Sequence, residues 1–287
     1  MDSNTVYIKD QGTLKTYSYD VTSDSWSQLP DCVYRNSSIT IVSGWLTTVG
    51  GCQSCTYSNE LFSLTGEGSD RRWTKKFPPM PTRRVHTTSL CTGTTLIVAG
   101  GVAGRVLSTV EVMDTKTHQW STAADLPEPI WDTSATVCGD QLYLLGSLND
   151  ILNDTGIKSV YACSVNTLLQ SCVLNSMKAN SKGASLEDQA RVWRQVTDLP
   201  VVQSTCESFH DRLLAIGGEV DSEGPTTAVY MHNSTTNTWE IISHMTTGRY
   251  RCFTAVLPNN ELMVVGGRTD SDHFTYTDTV EIACACN

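Results

Sequence analysis

A recurring unit constrains this 287-residue chain more than anything else in it: an apolar run, a pair of small residues, and later a tryptophan. The pairs are Gly50-Gly51, Gly100-Gly101, Gly146-Ser147, Gly217-Gly218 and Gly266-Gly267. The tryptophans are Trp26, Trp73, Trp120, Trp193 and Trp239, spaced 47, 47, 73 and 46 residues apart, so one interval carries an insertion. Tyr17, Glu111 and Tyr230 each stand nine residues before a tryptophan, which extends the agreement inside the unit. Residues 94–120 show the pattern best. Leu96-Ile97-Val98-Ala99 suits a buried strand and is too short for a helix. Gly100-Gly101 turns the backbone, and Thr109-Val110-Glu111-Val112-Met113 alternates as a half-buried strand does. Asp114–Thr117 is a turn, and Trp120 opens the last strand.

An apolar run, a double glycine and a tryptophan about twenty residues on resemble the Kelch repeat. In that family each repeat is one four-stranded blade of a propeller. The resemblance implies an all-β, six-bladed propeller of antiparallel blades over residues 1–287, read as one domain. Its repeats run about 6–30, 36–81, 83–127, 130–200, 201–246 and 249–287, with the insertion at 148–192. The end repeats are incomplete: no first strand precedes Val6-Tyr7-Ile8, and no tryptophan follows Thr279–Ala283. Within the insertion, Val165–Gln170 reads as a helical turn, and residues 175–190 as a polar protrusion.

Charged residues are only 17% of the chain, with net charge −10 and pI about 5.0, which disfavours nucleic-acid binding. No stretch approaches an apolar membrane span, and MDSNTVYIKD lacks the features of a signal peptide. Eleven cysteines, an odd number scattered singly, read as small buried hydrophobes in a reducing cytoplasm. A monomeric domain is expected.

Motifs for catalysis are missing. There is no G-x-S-x-G, P-loop or H-E-x-x-H, and the six histidines are dispersed. Cys52-Gln53-Ser54-Cys55 is a C-x-x-C whose redox or zinc role needs a helix N-terminus or a second ligand pair, and Cys284-Ala285-Cys286 is a candidate for that pair. Asp270-Ser271-Asp272 begins like a calcium loop but lacks its glycine. The chain therefore reads as a non-enzyme without cofactor or metal.

Surface remains. In Kelch adaptors, the resemblance implies, one face binds, built from inter-blade loops and the loops after the double glycine. The inter-blade positions are Asn36, Arg84, Asp132, Gln203 and Arg251, flanked by Tyr34, Arg35, Arg83, Trp131, Arg249 and Tyr250. The second set is Gln53, Arg105, Asn149, Glu219, Asp221 and Arg268. Arginine with tyrosine and tryptophan is the composition of protein-binding hot spots, and arginine forks take carboxylates. A protein or peptide ligand, acidic in character, is the expected partner. An enzyme with its site at the propeller mouth and a structural assembly element are the alternatives.

Overall fold

A computed structural model describes residues 4–10, 12–145, 147–148, 156–179, 192–220, 223–270 and 277–284. Among these residues, six antiparallel sheets of three or four strands follow one another along the chain and make a six-bladed β-propeller. The first sheet has three strands, Thr5–Lys9, Thr16–Asp20 and Ser25–Leu29. The second to fifth each have four, and the sixth has three, Phe253–Val256, Glu261–Val265 and Val280–Cys284. The strand runs follow the apolar pattern: Thr95–Ala99 is buried throughout, between Thr88–Thr92 and Val110–Asp114.

The sheets fall into two compact units, residues 1–131 with 168–190, and residues 132–167 with 191–287. In the first unit Val42, Val49, Leu61, Met80, Leu96, Val98 and Met113 form a core between the second and third sheets. In the second, Leu214, Ile216, Val229, Leu262 and Val264 do the same between the fifth and sixth. Each such side chain contributes about 1.5–3 kcal/mol on burial.

The repeated tryptophans have a shared task. Trp73, Trp120 and Trp239 lie on outermost strands, and each indole N–H donates to a carbonyl at the end of the preceding sheet: Pro30 (2.9 Å), Pro78 (3.2 Å) and Thr197 (3.2 Å). Trp26 also sits on an outer strand, whereas Trp193 stands just before the short strand Arg194–Gln195.

The double glycine is a clasp between sheets. Gly100 N–H closes on Thr109 O of its own sheet, and Gly101 N–H donates to Ile130 O, which leads into the next repeat. Both have positive φ, 61° and 95°, and a Cβ on Gly100 would lie 2.4 Å from Ile130 O. Only glycine tolerates that approach. Gly217 and Gly218 repeat the arrangement against Arg249 O. In the sixth repeat, among the described residues, a Cβ on Gly266 meets Thr277 O alone, at 3.4 Å.

The insertion differs from its sequence reading. A full helix spans Val165–Ala179, and residues 175–179 belong to it instead of protruding. Ser171 Oγ accepts from Ala124 N, and Asn175 Nδ2 donates to Thr122 O and Ala123 O, so the polar face of the helix is spent on the edge of the third sheet. The rest of the expected protrusion, 180–190, lies outside the described residues, as do Gly146 and Asn149, Asp221 and Cys286. The nine described free cysteines include Cys163 and Cys206, whose thiols burial pushes up to about 12.

Candidate binding face

In each complete or sixth repeat, two residues before the innermost strand, the backbone turns left-handed at a residue that is not glycine. These residues are Asn36, His86, Asp132, Gln203 and Arg251, with φ of 53°, 50°, 58°, 55° and 52°. Such a conformation costs an L-residue about 1–3 kcal/mol and persists only where its surroundings enforce it. Enforcement is visible in both units: His86 N donates to Asn36 O at 3.0 Å, and Arg251 N to Gln203 O at 3.1 Å. The third-repeat member is His86, so the sequence placed that repeat two residues early, at Arg84.

That slip matters, because Arg84 and Arg249 are not surface residues. Both are fully buried. Arg84 Nη1 donates to Gly100 O (2.9 Å) and Thr109 O (3.1 Å), while Nη2 meets Thr109 Oγ1 (3.2 Å) and Glu111 Oε2 (3.0 Å). Arg249 copies every contact with Gly266 O, Thr279 O, Thr279 Oγ1 and Glu281. Burial pulls the Arg84 guanidinium below its usual range, and Glu111 holds it up in opposition. Burial likewise raises the Glu281 carboxyl, but hydrogen bonds from Thr246 and Thr247 and the charge of Arg249 outweigh it, leaving the group below its ordinary value. These two arginines hold sheets, not ligands. The signal was in the sequence: Thr-x-Arg at 82–84 and 247–249, and Thr-Val-Glu at 109–111 and 279–281.

In the first unit Arg35, Arg83 and Arg105 are exposed. Arg35 exchanges backbone bonds with Cys52, which seats the hairpin Cys52–Gln53 and Thr56–Tyr57 beside the link. The hairpin turn places Ser54 and Cys55 at positive φ. A cleft of about 350 Å³ opens there, lined by Tyr34, Gln53, Tyr57, Asn59, Glu60 and Arg83 among others. Glu60 is partnered by Lys75 at 2.9 Å. His86 packs edge-on against Trp131, with ring centroids 5.2 Å apart. Of these, Tyr57, Asn59, Glu60 and His86 escaped the sequence reading.

In the second unit, Asp132 Oδ2 lies 2.7 Å from Arg251 Nε. Gln203 and Ser204 are buried beside them in the fifth-repeat link. Tyr250 is fully buried, and burial raises its phenol against a hydrogen bond from Arg268. Tyr250 and Arg268 also exchange backbone bonds. Glu219 is half-buried and pairs with Val202 through the backbone, while Glu223 is exposed. Among the described residues no three His, Cys, Asp or Glu side chains come together as a metal site, and no helix is long and apolar enough to cross a membrane.

Compared with known proteins, residues 83–127 match the Kelch motif. The chain is 26% identical over 147 residues to Kelch-like protein terF of Aspergillus terreus, covering 47% of this chain and 31% of that protein. It is 25% identical over 319 aligned residues to mouse (Mus musculus) Kelch domain-containing protein 1, covering 97% of this chain and 72% of that protein. The solved structure of YjhT superimposes with a TM-score of 0.75 at 14% identity, over 99% of this chain and 93% of that one. The fold is a six-bladed β-propeller, residues 83–127 carry a Kelch motif, and the chain is similar over most of its length to a Kelch domain-containing protein.

Proposed function

We propose that the chain is a protein-binding module that takes an extended, carboxylate-bearing segment of a partner on the loops leading into its innermost strands. One observation carries this reading. The left-handed position recurs in five repeats with its backbone conserved, yet its side chain is Asn, His, Asp, Gln or Arg in turn. Uniform backbone with varied polar side chains is what recognition needs, since strained positions gather where a fold presents function. Arg35, Arg83 and Arg105 supply exposed guanidinium groups on an acidic chain. The cleft beside Tyr34 and Tyr57 offers aromatic walls for an anchoring side chain.

By resemblance to Kelch adaptors, the module serves substrate recognition within a larger, cytoplasmic assembly, acting there as a monomeric domain. Of the two perturbed carboxyls of the second unit, Glu207 accepts from Thr254 and Ser208 and Glu281 from Arg249, Thr246 and Thr247, so both are engaged within the fold.

The test is binding of acidic nonapeptides, by fluorescence polarisation, to the parent and to Arg83→Ala and Tyr57→Ala. Losing an arginine or aromatic anchor that the bound partner covers weakens binding by about 2 kcal/mol or more, with the melting temperature unchanged. Unchanged binding in both variants places the partner elsewhere.

A further inference from the structure

We infer that Asp132 is a built-in competitor: it occupies Arg251 as a partner's carboxylate would, and so sets the affinity of this part of the surface for acidic segments. The inference rests on the binding reading above. Asp132, Gln203 and Arg251 lead into the innermost strands of the fourth, fifth and sixth sheets. The Arg251 side chain reaches Asp132, two repeats earlier in the chain, and the pair remains 23% and 13% exposed.

The contact is close but poorly aligned. Nε and Oδ2 lie 2.7 Å apart without hydrogen-bond geometry. This contact, through the edge nitrogen Nε, is not one of the two parallel, well-aligned N–H···O bonds that give arginine–carboxylate pairs their strength. An incoming carboxylate with freedom to align can form that bidentate pair. To do so it must displace Asp132 and approach a resident negative charge. With residue 132 neutral the repulsion disappears, and displacing the amide costs less than displacing the charged carboxylate. The sign is opposite to ordinary truncation of a binding surface: removing this charge strengthens binding.

The test uses N-acetylated, C-amidated nonapeptides carrying one Asp or Glu, each with its Asn or Gln counterpart, against the parent, Asp132→Asn and Arg251→Ala. Asp132→Asn is expected to tighten acidic peptides at least about fivefold, within the usual range of coupling between sites, and to leave amide peptides unchanged. Arg251→Ala is expected to abolish the preference for acid over amide. If Asp132→Asn leaves acidic binding unchanged or weaker while Arg251→Ala still abolishes the preference, the competitor role is wrong and the binding reading survives. If parent and variants bind neither peptide class, both fail. Should Asp132→Asn not fold, NMR of the parent decides: an acidic peptide must shift the Arg251 Nε–H and Asp132 carboxyl resonances together, and an Asp132 signal that stays fixed while Arg251 moves overturns the proposal.

Discussion

The second and third sheets solve one packing problem in two ways. In each, the residue two before the left-handed position faces the second residue of the sheet's third strand. In the second sheet these are Tyr34 and Phe62, packed edge-on with centroids 5.7 Å apart. In the third they are Arg84 and Glu111, a buried ion pair that also satisfies Gly100 O and Thr109 O. The sixth sheet uses the ionic version, with Arg249 and Glu281. The backbone is the same, so the difference lies in what each pair tolerates. An aromatic pair loses contact area gradually when altered. A buried ion pair leaves an uncompensated charge when either member goes, although its net contribution over apolar residues is small. Arginine in a loop is therefore no sign of a ligand until its burial is known.

The sharpest break in that comparison is Arg84→Ala. It strands Glu111, whose side chain is 4% exposed, and is expected to cost roughly 3–5 kcal/mol in chemical denaturation. Arg249→Ala goes the same way by less, because Glu281 is 20% exposed and can rehydrate. Converting the ionic pair to an apolar one, Arg84→Met with Glu111→Leu, is expected to return stability to within about 1.5 kcal/mol of the parent. A double variant as unstable as Arg84→Ala would mean that the hydrogen bonds to Gly100 and Thr109 dominate.

The glycine clasp allows a subtler comparison. Gly100 and Gly266 have nearly equal φ, 61° and 63°, yet a Cβ meets a carbonyl at 2.4 Å in one case and 3.4 Å in the other. Gly266→Ala should cost about 1 kcal/mol, the conformational penalty alone. Gly100→Ala should cost clearly more, and equal losses would remove close approach as the reason for the double glycine.

The smallest effect is titration. Glu281 sits below its ordinary value of 4.5, so its contribution is present above pH 4.5 and is lost as pH falls through the folded value. Glu207 is raised from 4.5, chiefly by burial. Its contribution is thus present below pH 4.5 and lost as pH rises through the folded value. Glu207→Gln should accordingly flatten the upper limb of a stability–pH curve and Glu281→Gln the acid limb.

Much of the architecture was legible, because a strand repeats its apolar pattern locally and a blade repeats it every 46 or 47 residues. The site was less so. Thr82-Arg83-Arg84-Val85-His86 contains three plausible link residues, and apolar patterning cannot say which adopts φ > 0. The equivalence of Tyr17, Glu111 and Tyr230 was visible from their distance to tryptophan, but the contact of Glu111 with Arg84 joins residues 27 positions apart, which local patterning does not report. The helix Val165–Ala179 was masked by its own polarity, since Ser171 and Asn175 look like loop residues until the third sheet supplies their partners.

The central claim is that exposed loop groups bind the partner while buried arginines hold the sheets. Chemical-shift mapping with an acidic nonapeptide tests it most directly. The account predicts shifts at Tyr34, Tyr57 and Arg83, and at Asp132 and Arg251, with the side-chain resonances of Arg84 and Arg249 unmoved. Shifts confined to the outer strands Ser25–Leu29 and Thr238–His244, or to the helix Val165–Ala179, would contradict it.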